Sequence, residues 1–336
     1  MKHNCKKPNN GGVWLLLMLP VLMISVVLGL LFGGTEFSPA ELWQAISAGD
    51  EESAAYRIFM LIRLPRVVAA VLAGAALAVS GVLLQAILHN PLAGPNIIGV
   101  NNGAGLLVLL CAAFFPAQPA LLPLAAFLGA LGTALLVFAL ALRVSASQIA
   151  LVLTGIALSS IFGAGINSIL IAAPDVYTGA SAFLVGGLSG ISAGELAWPA
   201  AYIAVGLVLA FALHRDLNIL ALGDAAAQTL GVQVGRVRLL AIVAAAVLAG
   251  AAISFAGLIS FVGLIVPHAV RFLIGADHRL LLPMSALAGG SFVILCDLAA
   301  RTLFAPYELP VGILMSFIGG PFFIFLILRS RRITHD

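Results

Sequence analysis

Apolar residues run along this chain in long blocks broken by short polar connections, with little of the alternation that would set a buried face against a wet one. A membrane-crossing helix needs about 20 mostly apolar residues. On that measure the pattern predicts ten spans, near residues 13–34, 64–88, 96–115, 119–141, 148–172, 194–213, 237–255, 258–272, 280–300 and 311–328. The 32 residues from Leu239 to Val270 are too many for one ordinary span and short for two, so the seventh or eighth is expected to be truncated. Barrels show short alternating segments instead of continuous runs, so an all-α polytopic membrane protein is expected, its 336 residues forming a single transmembrane domain.

The polar connections orient these spans. Ten spans put both termini on one side, and that side collects 12 of the 16 basic residues, from Lys2, Lys6 and Lys7 through Arg143, Arg215, Arg236, Arg238, Arg271 and Arg279 to Arg329, Arg331 and Arg332. Basic loops stay inside, so both termini are expected in the cytoplasm, with residues 1–12 as a tail and Val13 to Gly34 as a retained first span. The other side receives 9 of the 13 acids but only four arginines: Arg57, Arg63, Arg66 and Arg301. Two of these frame "RLPR", directly ahead of one of the longest apolar runs.

Composition agrees: 62% of residues are hydrophobic and 9% charged, where a soluble domain has about 25% charged. The 35 glycines suit helices that pack closely in lipid. The formal charge of +3 follows the loops and termini, which reads as a topology signal and not as nucleic-acid binding. Cys5, Cys111 and Cys296 are scattered, so free thiols are expected, with no disulfide framework, metal site or cofactor. Nearly every span lacks a charge at mid-depth, where ion-coupled carriers hold their coupling ion, which disfavours a stand-alone secondary carrier; sodium sites built from carbonyls and hydroxyls stay open. All three lysines lie within the first seven residues, so no P-loop exists and any ATP must be hydrolysed by another subunit; no catalytic residue is expected.

Several stretches carry finer readings. "AVLAGAA" occurs at Ala70 to Ala76 and at Ala246 to Ala252; the same offset pairs Gly81 with Gly257 and Pro91 with Pro267, which suggests an inverted repeat. Gly155, Ser159, Gly163 and Asn167 share one helical face, as do Gly74, Ala78, Gly81 and Gln85; each face is either tight packing or the wall of a translocation path. "HNPLAGPNIIG", His89 to Gly99, is a tight loop and a candidate cytoplasmic gate, with His89 read as an interfacial residue. In "ALGDAAAQTLGVQVGRVR", Asp224 can cap a short helix that Gly231 ends; that helix either lies on headgroups or docks into a partner.

The run "RLPRVVAAVLAGAALAVSGVLLQAILHNPLAGPNIIGVNNGAG" resembles the hallmark region of the FecCD family, permease subunits of bacterial ABC importers for ferric siderophores, haem and cobalamin. "ILALGDAAAQTLGV", "FVGLIVPHAVRFLIGADHRLLLP" and "ELPVGILMSFIGGPFFIFLILR" match further blocks, so the resemblance runs from about Arg57 to Arg332. It implies a type II ABC importer permease fold in a bacterial cell membrane. Partners would be two cytoplasmic ATPase subunits, an extracytoplasmic substrate-binding protein and a second permease, identical or a sister chain.

The resemblance also assigns residues. The loop at 221–236 matches the coupling helix that inserts into the ATPase, with Gly223, Asp224, Ala227, Leu230 and Gly231 at its core. Asn90, Pro91 and Leu92 match a region implicated in cytoplasmic gating, and Gly155, Ser159, Gly163 and Asn167 a helix beside the central pathway. Arg63, Arg66 and Arg301 match arginines that receive acidic side chains of the binding protein. The residues alone read them differently, as interfacial snorkelling for Arg63 and Arg66 and an i, i+4 pair with Asp297 for Arg301. A ferric siderophore is the expected cargo, with haem or cobalamin as alternatives.

Overall fold

The computed structural model describes residues 11–33, 37–49, 51–96, 98–144, 148–305 and 307–331, so most of the expected N-terminal tail, including Lys2, Lys6 and Lys7, lies outside the described residues. Among the described residues, ten apolar helices carry the fold: α1 (Gly11–Leu31), α4 (Leu64–Ile87), α5 (Val100–Phe114), α6 (Leu122–Val144), α7 (Gln148–Ala172), α9 (Ala197–Ala212), α12 (Val234–Ala256), α13 (Val262–Ile274), α14 (His278–Thr302) and α15 (Val311–Arg331). Five shorter helices join them: α2 (Pro39–Ala48), α3 (Ala54–Arg57), α8 (Pro174–Val185), α10 (His214–Leu220) and α11 (Asp224–Thr229). Among the described residues there is no strand. Seven helical segments are long and apolar enough to cross a bilayer, while α5, α13 and the apolar part of α15 are shorter. Each of the ten overlaps a predicted span. The near end of the bundle is where α1 starts and α15 finishes; the far end holds the start of α4 and the end of α14.

The truncated member of the seventh and eighth pair is α13. Its 13 residues reach about 20 Å at 1.5 Å per residue, well short of a hydrocarbon core of about 30 Å. It therefore begins inside the bundle, where Gly263 lies against the Leu77 carbonyl and Gly81, in the middle of α4. Irregular backbone at such depth must find internal partners. Here Leu258 N donates to Phe183 O, Gly187 N to Ala256 O and Gly312 N to Gly186 O, so the segments ahead of α13, α9 and α15 satisfy one another.

Helix α4 is the hub, packed between α12, α13 and α14. A Cβ on Gly74 would collide with the Gly289 carbonyl and one on Gly81 with the Gly263 carbonyl, so these backbones touch. Together with buried Ala78 and Gln85 this identifies the Gly74–Gln85 face as packing. Ahead of α4, the helix begins earlier than its apolar run, through α3 and a π-helical stretch at Ile58–Arg63. Pro65 supplies the reason: its ring excludes the carbonyl four residues back, and the wider turn, with Leu64 N bonded to Phe59 O, makes room. The two AVLAGAA copies lie on α4 and α12, which pack together, but Gly81 sits inside α4 whereas Gly257 caps α12, and Pro91 is in a loop whereas Pro267 is inside α13.

Candidate functional site

Between the start of α5, the middle of α7, the irregular segment before α13 and the start of α15 lies a cavity of about 790 Å³, lined on its polar side by Asn96, Asn101, Asn102, Ser159, Ser260 and Ser316. A smaller space of about 390 Å³ shares Asn96, Asn102 and Ser159 and opens along α7. Asn102 Nδ2 donates to the Ser159 carbonyl at 2.9 Å and Asn96 Nδ2 to Ser260 Oγ at 3.3 Å. Among the described residues, no ionisable side chain lines either space. Such a wall offers hydrogen bonds without a fixed charge.

Of the four predicted path residues, Ser159 is on this wall. Gly155 is buried, its carbonyl 3.3 Å from where a Cβ on Gly99 would sit, and so helps pack α7 against the end of the His89–Gly99 loop. Gly163 has open space at its Cβ position, and Asn167 is exposed, outside the cavity lining. Sequence reasoning missed Asn101 and Asn102, although adjacent amides inside an apolar run are a visible signal. It also missed Ser260 and Ser316, which only the fold brings alongside.

At the near end, the Asn90–Leu92 loop turns on its own side chains. Asn90 Oδ1 accepts from Leu92 N at 2.9 Å, Pro91 is exposed, and Leu92 lines a small apolar cavity with Leu77 and Phe261. In the neighbouring loop, Gly223 and not Asp224 takes the N-cap position of α11. A glycine with φ 101° makes the turn, which leaves the Asp224 carboxylate free of capping; it accepts from Arg238 Nη2 at 2.9 and 2.8 Å. Gly231 is left-handed, φ 82°, as its position after the helix requires. Ala227 is fully buried, whereas Leu222 and Leu230 stand exposed at 67% and 61%, apolar knobs on a polar loop.

The far end holds a charge cluster. Arg66 Nε donates to both carboxylate oxygens of Asp297 at 3.0 Å, and Arg66 Nη1 to Glu308 at 2.7 Å. Arg301 pairs with Asp297 one turn away, at 3.5 Å, and its Nη2 donates to the Gly29 carbonyl at 2.6 Å. Arg63 Nη1 donates to the Leu30 and Leu31 carbonyls at 2.9 and 2.6 Å. Helix α1 thus ends on two guanidiniums, which satisfy carbonyls that have no partner of their own at a helix C-terminus. Three cations meet two carboxylates and the negative end of a helix dipole, so the cluster is close to neutral. Arg63, Arg66 and Arg301 are 2, 5 and 3% exposed. The three arginines are together, as the rim reading expects, but their guanidiniums are turned into the chain. Burial would raise the pKa of half-exposed Glu308, yet the Arg66 hydrogen bond and charge, with Ser189 and Arg301, outweigh it and hold the carboxyl below its ordinary range.

The sequence model of the FecCD transport family matches residues 21–329. The hemin transport system permease protein HmuU of Yersinia pestis is 39% identical over 96% of this chain and 98% of its own length. The iron(3+)-hydroxamate import system permease protein FhuB of Bacillus subtilis is 38% identical over 94% of this chain and 82% of its own. A solved inward-facing metal-chelate type ABC transporter superposes with a TM-score of 0.83 and 31% identity, covering 94% of this chain and 98% of that one.

Proposed function

The chain belongs to the FecCD transport family, and from that membership we propose that it is the membrane-spanning permease subunit of an ABC importer carrying a ferric siderophore or similar iron chelate into the cytoplasm. It is a transport subunit and not itself an enzyme. The observation that carries the reading is the uncharged, amide- and hydroxyl-lined cavity between α5, α7 and α15, in a chain with no P-loop of its own. Among the described residues no ionisable side chain lines the cavity, and the sequence holds no P-loop, so in this reading the driving force enters from a partner.

The connection that runs from α10 through α11 to α12 suits that entry. In this reading Leu222 and Leu230 insert into one of two ATPase subunits, Asp224 and Arg238 tie the loop to α12, and the Asn90–Leu92 loop closes the pathway on the cytoplasmic side, where both termini lie. Apolar faces on α7, with Leu153 and Ile156, and on α15, with Phe317 and Phe325, flank the open cavity. A second permease, identical or a sister chain, would cover them and complete the path.

The far-end cluster serves as the landing place of an extracytoplasmic binding protein. Since Arg66 is already paired, an incoming carboxylate reaches it by displacing Glu308, the half-exposed partner. Bidentate guanidinium–carboxylate geometry makes such an exchange between equivalent anions cheap.

Haem is the second reading, favoured by the 39% identity to a hemin permease. The two are separated by reconstituting the chain with its ATPase and binding protein and measuring ATP-dependent uptake of a ferric hydroxamate and of haemin. Uptake of the hydroxamate is expected; uptake of haemin alone would replace the siderophore assignment.

A further inference from the structure

His89 does more than sit at an interface. Helix α4 ends in the reciprocal pair of bonds His89 N to Ala86 O and Asn90 N to Gln85 O, a termination that needs a left-handed residue at position 89 and usually takes glycine there. This chain places a histidine in it, at φ 45°, one of two non-glycine residues with positive φ among those described. A side chain kept where its backbone is strained points to something the side chain does.

The ring joins three segments. Nε2 lies 2.8 Å from the carbonyl of Leu220, the last residue of α10, and Nδ1 lies 2.6 Å from Nε2 of Gln148, the first residue of α7. A neutral imidazole that donates from Nε2 and accepts at Nδ1 fits both contacts. The Leu220 oxygen also accepts from Gly223 N at 3.0 Å, so His89 bonds to the same atom that closes the turn into α11. Directly after His89 comes the Asn90–Leu92 loop, and three turns along α7 from Gln148 is Ser159 on the cavity wall.

We propose that His89 is a positioning residue that makes the α10–α11 loop, the Asn90–Leu92 loop and the start of α7 move as one body, so that a displacement imposed on α11 reaches the gate and the cavity wall together. This rests on the importer reading for the source of that displacement. Neither Asn90 nor Leu92 contacts Leu220 through any hydrogen bond of the described residues, whereas the imidazole does.

Two variants isolate the ring: His89→Gly keeps the left-handed backbone and removes the imidazole, and Gln148→Ala removes one of its partners. In proteoliposomes containing the chain, its ATPase and its binding protein, His89→Gly is expected to lower the ferric hydroxamate transported per ATP hydrolysed about tenfold, with assembly and basal ATP hydrolysis within about twofold of wild type. Gln148→Ala is expected to lower the same ratio, and the double variant to be no worse than His89→Gly, because contacts through one ring are not additive. An unchanged ratio in His89→Gly, or effects of the two changes that multiply, would overturn the proposal.

A second measurement decides the matter without transport. With native cysteines replaced and spin labels at Pro91→Cys and Leu222→Cys, the isolated chain is expected to give one narrow distance distribution, broadened in His89→Gly; equal widths would overturn the proposal. If the wild-type complex moved neither hydroxamate nor haemin with ATP, the importer reading would fall, while the label widths would still report whether His89 ties the loops.

Discussion

Arg301, on the ninth of the ten apolar helices, donates to the carbonyl of Gly29 near the end of the first at 2.6 Å, while its neighbour Arg63 holds the next two carbonyls. That relationship explains why a chain with so few charges spends arginines at this end. A helix C-terminus exposes carbonyls and partial negative charge, and where lipid meets water a guanidinium satisfies both needs. The acids that neutralise the surplus come from α14 and the α14–α15 connection.

Arg66 and Asp297 form the buried core of the cluster, 5 and 2% exposed. Removing one partner of a buried ion pair strands the other and costs about 3–5 kcal/mol. Arg66→Ala should therefore lower the thermal midpoint of the purified protein markedly, and Arg66→Lys should recover only part of it, since an ammonium cannot grip two oxygens side by side. Equal midpoints for wild type and Arg66→Ala would show that the pair does not hold the far end together.

Glu308 gives the cluster a pH signature. Its carboxyl titrates below the ordinary value of 4.5: burial pushes upward, and the Arg66 hydrogen bond and charge prevail. A carboxylate whose value is depressed by folding contributes stability that is complete above the unfolded value and is lost as pH falls through the folded one. The difference in thermal midpoint between wild type and Glu308→Gln should be constant from pH 6 to 8 and shrink below about pH 4.5. A difference that grows on acidification would contradict the pairing.

Glycine contacts at the hub make a paired comparison. Gly81→Ala drives a methyl into the Gly263 carbonyl, whereas Gly163→Ala adds one to open space. Overpacking costs about 1–3 kcal/mol, so the first should destabilise and the second leave the melting curve unchanged. Identical curves would mean that α4 and α13 do not approach as closely as described.

The exposed knobs on either side of α11 predict a binding defect without a folding defect. Leu230→Asp places a charge on a residue 61% exposed, so the monomer should melt as wild type while its co-purification with the ATPase falls at least tenfold. Retained association would move the coupling surface elsewhere.

The sequence was most legible where the physics is local. Continuous apolar runs found all ten helices, and simple counting of Leu239 to Val270 found the short one. Of the small helices, α11 is legible from Asp224 and Gly231, whereas α2 is not among the apolar runs and shows only in its capping box, Ser38 with Glu41. The π-helical stretch depends on Pro65 acting on residues before it, outside the apolar run. The far-end arginines stand out by their scarcity, and the i, i+4 pair of Arg301 with Asp297 is legible in the sequence, but the partners of Arg66 lie 231 and 242 residues away, and no pattern along the chain couples such positions. For the same reason Ser159 was legible from its helical face, while Ser260 and Ser316 were not, since each sits beside an irregular segment whose place is set by tertiary contacts.

The central claim, that the cavity is driven by a partner's ATP hydrolysis, is tested most directly by chelate accumulation in proteoliposomes holding the purified chain with and without its ATPase subunit. Accumulation only when the ATPase, ATP and the binding protein are all present is the predicted result. Accumulation by the chain alone, driven by a sodium or proton gradient, would contradict it.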